Sequence, residues 1–140
     1  MVKLRPNVWF KADFPDDTVY DQDGNEVQFA GQNVAEAVAK TLTAYGYSME
    51  EPESCDENGW SLNAHWKGRR FWMLVTAIDD FILQTKNMTW RLWPDRAAFV
   101  EFLLHLQAGL NADPRFSQLR WFAADWPPSE AESFAAPVDL

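Results

Sequence analysis

A continuous apolar run with turn residues at both ends is the feature that most constrains the fold of this chain. Residues 70–78 (RFWMLVTAI) are almost entirely aliphatic or aromatic. The run is short and rich in aromatic and β-branched side chains, which favours a strand over a helix. Because both of its faces are apolar, it predicts a central strand that is covered on each side.

The segments around this run extend it into a small sheet. Residues 60–66 (WSLNAHW) alternate large apolar with polar side chains, which is the period of a half-buried strand. A polar, acidic connection at residues 48–58 precedes them. A Lys-Gly-Arg turn connects residues 60–66 to the apolar run. An Asp-Asp turn follows the apolar run, and residues 81–86 then form another strand. We therefore expect a three-stranded antiparallel meander.

Two more β segments are predicted near the N-terminus. Residues 8–14 form a strand, and residues 18–29 contain an Asp-Gly pair between β-prone runs, which is typical of a hairpin turn. The stretch from Asp21 also spaces oxygen atoms like a calcium loop. However, Glu26 stands where that loop needs glycine, and Gln32 stands where it needs the closing acid. We expect a plain hairpin.

Two amphipathic helices are predicted from apolar side chains that recur at helical spacing. The first spans about residues 33–45, with Asn33 as its N-cap and Gly46 as its C-terminal stop. The second begins at a Trp-Pro-Asp sequence, in which Asp95 can cap the free amides, and it ends near residue 110.

A last strand at residues 116–122 completes the order β-β-α-β-β-β-α-β. Helices segregated from runs of strands indicate an α+β fold with an antiparallel sheet of about five to six strands. A chain of 140 residues is of single-domain size, and we expect that domain to span residues 1–126. Residues 127–140 contain proline and acidic residues without a period, which predicts a mobile tail.

The charge is strongly acidic and unevenly distributed. With 12 basic and 21 acidic residues the net charge is −9, which works against binding to nucleic-acid phosphates or anionic lipids. Residues 13–57 hold twelve acidic side chains against Lys40 alone, whereas residues 67–96 hold six basic against three acidic ones. A single cysteine, without a signal peptide or a membrane-spanning run, predicts a cytoplasmic protein.

No residue pattern indicates a catalytic centre, a metal site or a cofactor-binding site. The two histidines, His65 and His105, have no adjacent cysteine, histidine or acidic pair at metal spacing. The chain lacks a nucleophile elbow, a glycine-rich phosphate loop and a zinc motif. We therefore expect a protein that is not an enzyme and needs no cofactor.

The acidic N-terminal third is the main functional candidate, as a surface that binds a basic partner protein and needs no catalytic residue. In size, charge and element order the chain resembles immunity proteins, which act as a compact plug on one toxin. Secretion chaperones, which dimerise around an extended client, are an alternative resemblance of the same kind. The candidate partner-binding residues are Asp16, Asp17, Asp21, Asp23, Glu50, Glu51, Glu53, Trp93 and Trp126.

Three other interpretations stay open. The acidic run can simply be a solvated face. A small-molecule binder or enzyme would enclose a pocket beside the polar side of the first meander strand. The polar groups of that pocket would be Ser61, Asn63, His65 and Arg70. A nucleic-acid mimic agrees with the net charge, but the basic stretch 67–96 argues against it. A monomer is expected of an immunity protein and a homodimer of a chaperone.

Overall fold

The computed structural model describes residues 3–89, 95–123 and 133–139. The strands in these ranges are β1 (Asn7–Ala12), β2 (Val19–Tyr20), β3 (Glu26–Gln28), β4 (Ser48–Met49), β5 (Glu53–Ser54), β6 (Trp60–Trp66), β7 (Arg69–Ile78), β8 (Asp80–Asn87) and β9 (Phe116–Phe122). The helices are α1 (Gln32–Ala44) and α2 (Arg96–Ala112), and a short 3-10 helix spans Asp56–Asn58. The predicted α+β class is confirmed.

The main sheet is antiparallel and has the order β4-β6-β7-β8-β1-β9, with β5 also paired to β6. The predicted meander β6-β7-β8 lies in its middle, and its bounds match the prediction to within one residue. Strand β1 does not join the N-terminal hairpin, because it lies between β8 and β9. Strands β2 and β3 pair with each other in a separate two-stranded sheet.

Two short edge strands lie in the segment that we predicted to be a connection. Strands β4 and β5 both pair with the edge of β6 that faces away from β7. Met49 pairs with Ala64, and Glu53 pairs with Ser61. Between these two pairs the edge segment advances four residues and β6 only three, so a bulge lies between β4 and β5. Two-residue strands are too short to show an alternating pattern, which is why the sequence did not reveal them.

One hydrophobic core lies between the helices and a single face of the sheet. On β7, Phe71 and Val75 are fully buried, whereas Trp72 and Leu74 point the other way and are only half-buried. The Phe71 ring stacks on Phe102 of α2 at a centroid distance of 4.5 Å. We predicted that this strand is covered on both sides, whereas both helices pack into the same core, on one face of β7.

A distant side chain caps α1. The N-cap is Gly31 and not Asn33 as predicted. The two carboxylate oxygens of Asp17 accept hydrogen bonds from the backbone N–H groups of Gly31 at 2.9 Å and of Asn33 at 2.8 Å. At the other end, the N–H of Gly46 donates to the carbonyl of Thr43, as expected of the predicted stop.

Helix α2 begins at the predicted cap. The Asp95 carboxylate accepts a hydrogen bond from the N–H of Ala98 at 3.0 Å. The same carboxylate forms an ion pair with Arg69, with the Nε and Oδ2 atoms 2.5 Å apart. The start of α2 is thereby attached to the start of β7.

The C-terminal residues that the structure describes return to the domain. We predicted a mobile tail over residues 127–140, and of these the structure describes residues 133–139. Arg5, which is 4% exposed, donates hydrogen bonds to both carboxylate oxygens of Asp139 at 2.8 and 2.9 Å. Its guanidinium also lies over the Phe134 ring at 3.7 Å. A buried guanidinium needs such partners, and here the C-terminal segment provides them.

Candidate protein-binding surface

A hairpin arm, which we define as residues 16–29, contains the separate two-stranded sheet of β2 and β3. Its turn is closed by Asp21, whose carboxylate accepts hydrogen bonds from the N–H groups of Asp23 and Asn25, each at 2.9 Å. These bonds lower the pKa of Asp21, with the bond from Asn25 as the largest cause. Gly24 has the positive φ, 82°, that the turn requires. This is the plain hairpin that the sequence predicts.

Three large apolar side chains of the hairpin arm are exposed to solvent. Val19 is 45% exposed, Tyr20 57% and Val27 61%. They stand among exposed carboxylates of the same arm, namely Asp16, Asp21, Asp23 and Glu26. Val19 and Tyr20 are consecutive on β2 and therefore point to opposite faces of the hairpin, so apolar surface is exposed on both faces. Sequence reasoning had singled out only the carboxylates, although a hairpin this short cannot bury both of its faces.

The base of the hairpin arm is fixed to the domain. Asp17 is half-buried, and its capping bonds attach the arm to the start of α1. The indole Nε1 of Trp60 donates to the carbonyl of Phe29 at 2.9 Å, which attaches the end of the arm to the start of β6. Of the candidate carboxylates on the arm, Asp17 therefore has a structural role.

The second group of candidate carboxylates lies on what we call the acidic edge, residues 48–54, which comprises β4, the bulge and β5. Glu50, Glu51 and Glu53 are all exposed there. Glu50 is engaged with His65 of β6, with Oε2 and Nε2 2.7 Å apart. Strand β6 therefore contacts both regions, through His65 at the acidic edge and through Trp60 at the end of the hairpin arm.

A groove of about 400 Å³ separates the acidic edge from α1. Three glutamates and one lysine give its lining a net negative charge, and Ala39, Met49 and Pro52 contribute apolar surface. The lining residues are Gln32, Glu36, Ala39, Lys40, Met49, Glu50, Glu51 and Pro52.

The predicted polar row lies together on the face of the sheet opposite the helices. Ser61 is buried and donates from Oγ to the carbonyl of Glu53 at 3.4 Å, and Asn63 and His65 follow it on the same strand. Arg70 pairs with His65 across the β6–β7 ladder. Four cavities formed by the described residues are lined by other side chains. None of these four cavities lies at the row, and the Oδ1 atom of Asn63 is buried without a hydrogen-bond partner among the described residues.

A buried tyrosine–histidine contact is the other polar cluster of note. The Tyr47 hydroxyl lies 2.9 Å from Nδ1 of His105, and the ring of Tyr45 stacks on the same imidazole at 4.7 Å. Burial, followed by the charge of Glu101, raises the pKa of Tyr47 to about 12. The phenol is therefore protonated near neutral pH, and its contact with His105 joins α2 to the residue before β4.

Trp93 and Trp126 lie outside the described residues. Among the described residues, no group of three or more His, Cys, Asp or Glu side chains is placed to hold a metal ion. No helix in the described ranges has the length and apolar character needed to cross a membrane.

Comparison of the chain with family models, with curated proteins and with solved structures found no match in any of the three. No relative therefore assigns a role to any of these residues. The function has to be inferred from the chemistry of the hairpin arm, the acidic edge and the groove.

Proposed function

We propose that this protein is a non-catalytic binding protein that holds a basic partner protein through its acidic N-terminal third, in the manner of an immunity or inhibitor protein. The single observation behind the proposal is the hairpin arm, where Val19, Tyr20 and Val27 are exposed among carboxylates. A surface of this composition offers a partner both apolar area and negative charge.

The apolar side chains distinguish a binding surface from a solvated one. Carboxylates alone keep a protein soluble and need no partner. Burying a Val or Leu-sized side chain contributes about 1.5–3 kcal/mol, so the arm can gain affinity from its apolar groups when a partner covers them. The carboxylates around them raise the association rate with a basic protein and disfavour acidic competitors.

The fixed base of the arm also supports the proposal. Asp17 and Trp60 hold its two ends through hydrogen bonds to the backbone. A binding element that is ordered before association loses less conformational entropy when the partner arrives. An exposed apolar hairpin held in one orientation is therefore suited to recognition.

The test is capture of the partner at low salt from the native host with tagged protein. We expect the wild type to capture a basic protein and the double variant Tyr20→Ser/Val27→Ser to lose it. Met88→Ser is the matched control, because Met88 is 45% exposed and directly follows β8. We expect this control to capture the same protein as the wild type.

Association kinetics of the captured pair then test the role of charge. The association rate should fall steeply as salt is added, since exposed charges are screened over about 8 Å at physiological ionic strength. Equal capture by all three proteins, or an association rate that does not respond to salt, would contradict the proposal.

A further inference from the structure

The edge of the main sheet is open at β4. Strand β4 is the last in the strand order, and among the described strands none pairs with its outer side. The N–H of Glu50 donates to the carbonyl of Asn63 on β6 at 3.1 Å. In an antiparallel ladder the next residue points its backbone groups the opposite way. Met49 therefore directs its N–H and carbonyl away from β6, where an added strand could bond to them.

Helix α1 forms the opposite wall of the space beside this edge. Gln32, Glu36 and Ala39 lie on one side of α1 because they are three or four residues apart, and together with Met49 they line the groove of about 400 Å³. A groove between an edge strand and a helix is suited to β-strand addition. In that mode backbone bonds provide affinity and alternate side chains provide specificity.

The charge of the groove favours a basic occupant. Glu36 and Glu51 are exposed, and no salt bridge within residues 3–89, 95–123 and 133–139 involves either of them. Lys40 is the one basic residue in the lining. Lysine or arginine side chains of an added strand would meet these free carboxylates. A second copy of this chain would instead bring its own glutamates against them, which disfavours pairing of like edges.

The bulge and Pro52 limit how far an added strand can extend. Pro52 has no N–H to donate, and the bulge interrupts the ladder between β4 and β5. Charged residues and proline also protect sheet edges against unwanted pairing. Here that protection acts against neutral and acidic strands, whereas a basic strand gains from the same charges.

We infer that the partner inserts a short, extended, basic segment into this groove as an additional strand on β4. The inference rests on the proposed function, because it specifies how the basic partner is recognised. It adds a second contact beside the hairpin arm and predicts that the recognised segment alternates basic with apolar side chains.

A synthetic peptide of alternating lysine and valine is the probe. We expect saturable amide shifts at Met49, Glu36 and Ala39 in NMR spectra of the full chain, with slower hydrogen exchange of the Met49 amide. A peptide with glutamate in place of lysine should not bind. A lysine–valine peptide that is N-methylated at alternate residues should also fail, because it cannot form the ladder.

Variants of the protein separate strand addition from general attraction by charge. Glu36→Lys/Glu51→Lys should weaken peptide binding by at least about tenfold, which corresponds to about 1.4 kcal/mol. Each of the single variants Glu36→Lys and Glu51→Lys should also weaken binding, and Asp13→Lys is the control that changes the charge by the same two units. Asp13 is an exposed acid that directly follows β1, away from the β4 edge. This control should leave binding close to the wild-type value.

The outcomes also separate this inference from the proposed function. Tyr20→Ser/Val27→Ser should lose the captured partner and still bind the peptide, if the arm and the groove are distinct contacts. Equal binding of the N-methylated peptide, shifts without protection of the Met49 amide, or no binding at all would overturn strand addition. In each of those cases the proposed function would still predict capture through the hairpin arm.

Discussion

Two regions of this molecule contain large apolar side chains in strands, and they use them in opposite ways. On β7, Phe71 is fully buried and its ring lies within 6.2 Å of the rings of Tyr47, Phe99 and Phe102. On the hairpin arm, Tyr20 is 57% exposed. Similar residue types therefore stabilise the fold in one place and remain available to a partner in the other. The difference comes from whether the helices cover the strand.

The largest effect should follow from truncating the buried ring. Phe71→Ala removes a side chain at the centre of the aromatic cluster, and we expect a loss of about 3–5 kcal/mol in the free energy of unfolding. Val27→Ala on the arm should change it by no more than about 0.5 kcal/mol. Denaturant unfolding measures both values. Similar losses for the two variants would remove the distinction between the regions.

The buried tyrosine should make stability depend on alkaline pH. The pKa of Tyr47 is raised from 10.0 to about 12 in the folded chain, so between these values the folded state keeps a proton that the unfolded state loses. This contribution is complete below pH 10 and is lost as the pH rises towards 12, by an amount on the order of 1–3 kcal/mol.

Tyr47→Phe isolates this contribution. We expect the variant to lose less stability than the wild type between pH 9.5 and 11.5 in denaturant titrations, on the order of 1–3 kcal/mol less. Tyr20→Phe, at the exposed position, is the control and should follow the wild-type curve. Parallel curves for Tyr47→Phe and the wild type would mean that the phenol is not held in its neutral form by burial.

A smaller effect is expected at the junction between the two regions. Asp17→Ala removes the carboxylate that caps α1, and we expect it to cost about 1 kcal/mol of stability. Asp23→Ala, an exposed acid of the same arm, should cost close to nothing. Unfolding curves distinguish the two, and a negligible effect of Asp17→Ala would show that α1 does not depend on the arm for its cap.

Much of the fold could be predicted from local patterns. Residues 60–66 alternate over seven positions, and the predicted bounds equal those of β6. The Asp95 cap of α2 is also local, because the side chain bonds to an amide three residues away. Strands β4 and β5 have two residues each, which is too short for a period to appear.

The features that could not be predicted from the sequence depend on non-local interactions. The cap of α1 comes from Asp17, which is 14 residues before Gly31 in the sequence. The apolar run of β7 predicts a strand, but no pattern within it shows that both helices lie on one side. The same limit applies to the candidate site, since strand propensity does not distinguish a buried valine from the exposed Val27. The carboxylates could be identified from charge alone, whereas their apolar neighbours required the structure.

Photo-crosslinking at single positions is the measurement that tests the binding role of the hairpin arm most directly. A photoreactive phenylalanine analogue replaces Tyr20 in one protein and Met88 in another, and both are irradiated in the native host. The account predicts that position 20 crosslinks to one basic protein and that position 88 does not. Absence of a crosslink at position 20, or the same products at both positions, would contradict it.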